Sequence, residues 1–199
     1  GTYPDTNGNG VPDCCEDGSC LEDGDPTTSQ WIKPDGGSFH DADNWNTSAP
    51  PDQNMTAILE IDTECTITFE NDVQTMNLVS RNGNVTLGLS GNTYSASGNS
   101  STSIVGENAG NQASLDITSG ILEFGSGVEG DAELVLGYGA QSQGDIRVSG
   151  AGAILNVHKL QIGDHGSGLM TIAEGGLVHA DRVSLGNTIG SMGLLQLAG

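Results

Sequence analysis

The sequence predicts an all-β protein, a parallel β-helix whose short strands stack coil upon coil behind an irregular N-terminal leader. Three observations carry this. From Leu134 to Gly199 one pattern returns three times, as LVLGYGAQSQGDIRVSGAGAILNVHKLQIG, DHGSGLMTIAEGGLVHADRVSLG and NTIGSMGLLQLAG. Its turn glycines, Gly137, Gly163 and Gly186, follow one another at 26 and 23 residues, a period at which one repeat cannot bury its apolar side until neighbours stack on it. Within each repeat the apolar residues are two apart, which is strand periodicity. Aligning the glycines sets Ile146 and Val148 over Met170 and Ile172, and these over Leu195 and Leu197, with Arg147, Thr171 and Gln196 pointing the other way. Composition agrees: glycine supplies 31 of 199 residues and aromatics only 4%, which suits a narrow aliphatic core turned at glycine corners.

Charge limits the partners. The net charge is -21, and the only basic residues are Lys33, Arg81, Arg147, Lys159 and Arg182. Nucleic acid and anionic membrane surfaces need a cationic footprint that this chain lacks. No apolar run approaches the ~20 residues of a bilayer span. The opening GTYPDTNGNG has no signal-peptide pattern, as in a mature secreted protein or an excised fragment.

Residues 1–30 form an acidic leader. Asp5 to Glu16 fits D-x-[DN]-x-[DN]-G-x5-E at every fixed position. That spacing lets oxygens of Asp5, Asn7 and Asn9, the Val11 carbonyl, Asp13 and a bidentate Glu16 converge on one calcium ion, with Gly10 at the sharp turn. Glu22, Asp23 and Asp25 could add ligands. The same composition is that of an acidic, turn-rich linker. Cys14, Cys15, Cys20 and Cys65 allow three pairings. Adjacent Cys14 and Cys15 would close a strained ring, so one of them is expected to bond Cys20 and the other Cys65. Four free thiols are the alternative, and CC-x4-C lacks the paired spacing of a zinc site.

Residues 31–56, beginning WIKPDGGSFHDADNW, are expected to cap the core with Trp31, Phe39 and Trp45, since a solenoid needs a closed terminus. The alternative is a carbohydrate-binding surface of Trp45 with Asp41 and Asp43. Coils then fill 57–199. In LEIDTECTITF the residues Leu59, Ile61, Thr63, Cys65, Ile67 and Phe69 share one face of a continuous strand. GNTYSASGNSSTS, 91–103, and GSGVEGDAE, 125–133, read as polar corner loops. Sequons at Asn46, Asn54, Asn84 and Asn99 are what a chain rich in Asn, Ser and Thr carries by chance.

Several of these motifs match known families. The leader resembles the calcium loops of thrombospondin type 3 repeats and the D-x-N-x-NGxPD segments of bacterial surface proteins. Trp31, Gly37-Ser38-Phe39, Asp43-Asn44-Trp45 and Pro50-Pro51, followed by Leu-Gly and Ile-Gly anchored coils, resemble bacterial surface β-helix proteins, autotransporter passenger domains and proteins with a PEP-CTERM sorting signal. The resemblance spans about 31–199. It implies a parallel β-helix outside the cell and, for most members, no catalysis.

No residue set assembles catalytic machinery. Asp116 and Arg147 fall on one column as an ion pair, and His158-Lys159 above Asp181-Arg182, with Asp164, His165 and His179 nearby, lacks metal-ligand spacing. The expected function is therefore that of a structural extracellular or cell-surface protein, not an enzyme. Its terminal GLLQLAG breaks off one strand into a coil, so either more chain follows or subunits stack head to tail into a fibre or surface layer. The alternative is an adhesin or glycan-binding module using the 91–103 loop or Trp45, and the third a polysaccharide-active enzyme relying on Arg147.

Overall fold

A computed structural model describes residues 27–98, 102–125 and 133–199. Among them lie thirteen strands: β1 (Thr28–Gln30), β2 (Gly37–Ser38), β3 (Thr56–Thr68), β4 (Val73–Thr75), β5 (Asn77–Ala96), β6 (Thr102–Val105), β7 (Gln112–Phe124), β8 (Glu133–Leu136), β9 (Gln143–Ser149), β10 (Ala153–Ile162), β11 (Ser167–Ala173), β12 (Leu177–Leu185) and β13 (Met192–Ala198). One short 3-10 helix, Ala42–Asn44, interrupts them. The fold is all-β, and every pair of named strands runs parallel. An isolated antiparallel bridge joins Trp31 to Trp45.

The aligned register is observed. Ile146 pairs with Met170 and Met170 with Leu195, while Val148 pairs with Ile172 and Ile172 with Leu197. The columns extend backwards through Leu115 and Ile117 of β7, Val85 and Leu87 of β5, and Cys65 and Ile67 of β3. Parallel pairing stacks like on like, so apolar side chains meet apolar ones across successive strands. Leu115, Ile117 and Val148 are fully buried, each burial contributing about 1.5–3 kcal/mol.

The pairing scheme as a whole differs from a plain stack of separate faces. Strands β5, β6, β8, β10 and β7 close into a ring of five, with the other strands outside it. The ring arises because the long strands offer different stretches to different partners. β5 meets β6 through Val79 and Ser80 but β7 through 83–88 and 93–96, and β10 meets β7 through 153–157 but β8 through 159–162.

Two local expectations need correction. The run from Leu59 to Phe69 is not one straight strand face. Its register against β5 shifts between Glu60 and Glu64, and Thr63 turns to solvent, where its hydroxyl donates to the Pro34 carbonyl at 3.2 Å. Alternation alone cannot reveal a bend that preserves polarity on either side. Nor is the whole of 91–103 a loop. β5 continues to Ala96, and Tyr94 is fully buried, its hydroxyl 3.0 Å from Thr75 Oγ1. A single aromatic between polar neighbours was enough to anchor a strand.

Aromatics pack together at the N-terminal end of the described core. Trp31, Phe39 and Trp45 are buried with Phe69 and Tyr94. Trp31 meets Trp45 edge-on at 5.2 Å, Phe39 meets Trp45 at 4.9 Å, and Phe39 stacks on Phe69 at 5.0 Å. Outside β1, residues 44–49 run alongside it: Asn46 N–H donates to the Gln30 carbonyl, Gln30 N–H to Asn46 Oδ1, and Ser29 Oγ lies 2.7 Å from Thr47 Oγ1.

Candidate functional site

Parallel register also fixes the outward columns. On one face Thr66 pairs with Thr86, Thr86 with Asp116 and Asp116 with Arg147. Beside it run Glu64, Asn84, Ser114 and Asp145. Together with Asp35 and Cys65, the members from Glu64 to Asp116 line a groove of about 560 Å³. The structure thus confirms that Asp116 and Arg147 are column neighbours, but Arg147 bonds Glu174 at 3.1 Å instead.

The electrostatics of the groove are set by burial. Asp116 is pushed above the ordinary carboxylate range by desolvation, eased by the Arg147 charge and reinforced by Glu64. Desolvation likewise raises Asp145, offset in part by the Gln143 amide bonded to Oδ2 at 3.0 Å. Asp145 Oδ1 is buried without a hydrogen-bond partner among the described residues. At the groove floor burial pushes the Cys65 thiol up to about 11, so it stays protonated and unreactive at neutral pH.

The histidine and carboxylate residues separate into two sites. His158 Nδ1 lies 2.7 Å from Asp181. Asp164, buried at a corner, accepts from Gln161 at 2.5 Å and Asn187 at 2.9 Å and lies 2.7 Å from His165 Nδ1. His179 stands apart, paired in register with Asn156. The His158–Asp181 and Asn187–Asp164 bonds each join residues 23 positions apart, while the Gln161 and His165 bonds to Asp164 are local. Among the described residues no three of His, Cys, Asp and Glu are grouped to hold a metal ion.

Trp45 does not form a carbohydrate surface. It is buried, and its indole N–H donates to the Phe39 carbonyl at 2.8 Å. Asp41 instead caps the 3-10 helix, accepting from the Asp43 N–H at 3.0 Å. The residues expected to hold calcium, Asp5, Asn7, Asn9, Val11, Asp13 and Glu16, and Cys14, Cys15 and Cys20 lie outside the described residues. Cys65 has no disulfide partner among the described residues.

No family model, curated protein or solved structure matches this chain.

The sequence reading missed Asp35, Asn84, Thr86, Ser114 and Asp145 as neighbours. The signal was present: placing Val85 opposite Leu115 and Ile146 fixes which polar residues flank them. The first coils vary too much in length for the glycine alignment to reach them.

Proposed function

We infer that this chain is the shaft of a structural extracellular protein, built as a parallel β-helix and fronted by a calcium-binding leader. One observation carries the shaft: positions 65, 85, 115, 146, 170 and 195 follow one another in a single column of parallel pairs. Each passage of 20 to 31 residues returns the chain to the same face one strand further along. Neighbouring faces of a coil merge into a closed ring of pairings when strands such as β5 and β10 pass from one face to the next unbroken.

Such a column transmits load through hydrogen bonds along its axis and needs no ligand to do so. The net charge of -21 favours solubility and suits an exterior where divalent cations are abundant. Head-to-tail stacking would have to accommodate residues 44–49, which already occupy the outer side of β1, so assembly is not needed for this reading.

Small-angle X-ray scattering of the purified chain with calcium tests the shaft. A rod-like profile with a constant cross-section supports it, and a compact sphere overturns it. Titration calorimetry tests the leader separately. Calcium should bind with a dissociation constant of about 0.1–1 mM, and heat that is absent, or unchanged in Asp5→Asn and Glu16→Gln variants, removes calcium from the proposal. Release of reducing ends from a polysaccharide panel would favour the enzyme reading.

A further inference from the structure

Elsewhere on this surface, polar side chains satisfy one another across coils. Ser38 donates to Glu70 at 2.7 Å, Asn82 to Asp62 at 3.0 Å, and Arg81 bridges Glu60 and Glu107. The groove floor is different. Ser114 donates to Asn84 at 2.8 Å at its side, but Thr66, Thr86 and Asp116, side by side on β3, β5 and β7, and Glu64 of β3 make no side-chain hydrogen bond to the described residues. Thr86 and Asp116 are half-buried but open to the groove, so water meets their polar atoms until a ligand with matching hydroxyls replaces it.

We propose that this groove binds an extended glycan strand without acidic groups, laid along the coil axis across Thr66, Thr86 and Asp116. Successive strands are spaced about 4.8 Å apart, close to the rise per sugar of an extended hexose chain, so each coil presents one polar side chain to one sugar. Threonine hydroxyls can donate or accept, and carboxylates accept from sugar hydroxyls or amines. Asp35, Glu64 and Asp116 repel uronic or sulfated chains. A peptide strand is less suited, because peptides add to free sheet edges and β5 and β7 beneath the groove are already paired on both sides. Nor is the leader complementary: residues 1–25 hold seven acidic residues and no Lys or Arg.

The proposal goes beyond the structural reading and does not depend on it. Isothermal titration of the full chain with cellohexaose, a glucosamine hexamer and hexagalacturonate tests it. Binding is expected for cellohexaose, the glucosamine hexamer or both, and not for hexagalacturonate. Thr86→Val and Asp116→Ala should each weaken binding about tenfold or more, with Asp181→Asn, on β12 and outside the groove, as the neutral control and thermal melting as the check that each variant folds. Failure of both non-acidic hexamers to bind, equal binding of hexagalacturonate, or unaltered affinity in both folded groove variants overturns the proposal. None of these outcomes bears on the scattering test of the shaft.

Discussion

Gly83 lies against the carbonyl oxygen of Ile61 so closely that a Cβ would overlap it, and its φ of +82° is one that other residues rarely adopt. This contact lets the chain bend between Glu60 and Glu64 while β3 and β5 stay paired on either side. Gly83→Ala is therefore expected to cost roughly 3 kcal/mol or more, combining backbone strain with a clash that only backbone movement relieves. Gly110 has a similar φ of +79° but open space around it, so Gly110→Ala should cost only about 1–2 kcal/mol. Urea denaturation of both variants measures the difference. Equal costs would show that the Ile61 contact is not rigid.

The later strands were legible because the glycines between them recur at nearly constant spacing, and Ile146 over Met170 over Leu195 followed directly from that alignment. The earlier strands were not, for a physical reason. Alternation records which side chains face inward but not where the backbone turns, so the bend at Thr63 looked like one more strand position. Burial depends on what lies opposite, so Tyr94 in a polar run was hidden until Phe39 and Phe69 were seen packing on it at 5.6 Å each. Groove residues posed the same problem: Asp35 and Asp116 are 81 positions apart, and only the stacking brings them together.

Depth in the column decides how much one side chain matters. Leu115 is wholly buried between Val85 and Ile146, where paired strands on both sides limit collapse into a cavity. Leu115→Ala should cost about 2–5 kcal/mol. Ile32 is half exposed, and Ile32→Ala should stay within about 0.5 kcal/mol of the parent. Equilibrium unfolding of the pair checks this, and a small loss at Leu115 would mean that the column is loosely packed.

The raised Asp116 makes a pH-dependent prediction. Burial is the main cause, with Arg147 opposing it and Glu64 adding to it. A carboxyl that holds its proton more tightly folded than unfolded favours the folded state only while protonated. Its ionisation then costs stability as pH rises from the ordinary carboxylate range, near 3.9, through the higher folded value. Asp116→Asn should therefore match the parent near pH 3 and exceed it in stability at pH 7. Denaturation curves at the two values decide it, and a less stable variant at pH 7 would mean that the ionised carboxylate has a favourable partner.

Arg81 is the counter-example, a cation of β5 shared by Glu60 of β3 and Glu107, which follows β6. Its Nε lies 2.5 Å from Glu107 and its Nη1 3.2 Å from Glu60, and all three side chains remain partly in solvent. Exposed pairs of this kind contribute about 0–1 kcal/mol each, yet losing this one leaves Glu60 and Glu107 facing each other in a chain of net charge -21. Arg81→Met should cost about 1 kcal/mol at low salt. In 1 M sodium chloride, where the screening length falls to about 3 Å, the difference should shrink to less than half, because both the lost attraction and the new repulsion are screened. A salt-independent loss, measured by thermal melting across a salt series, would instead assign the effect to the packing of the Arg81 aliphatic stem.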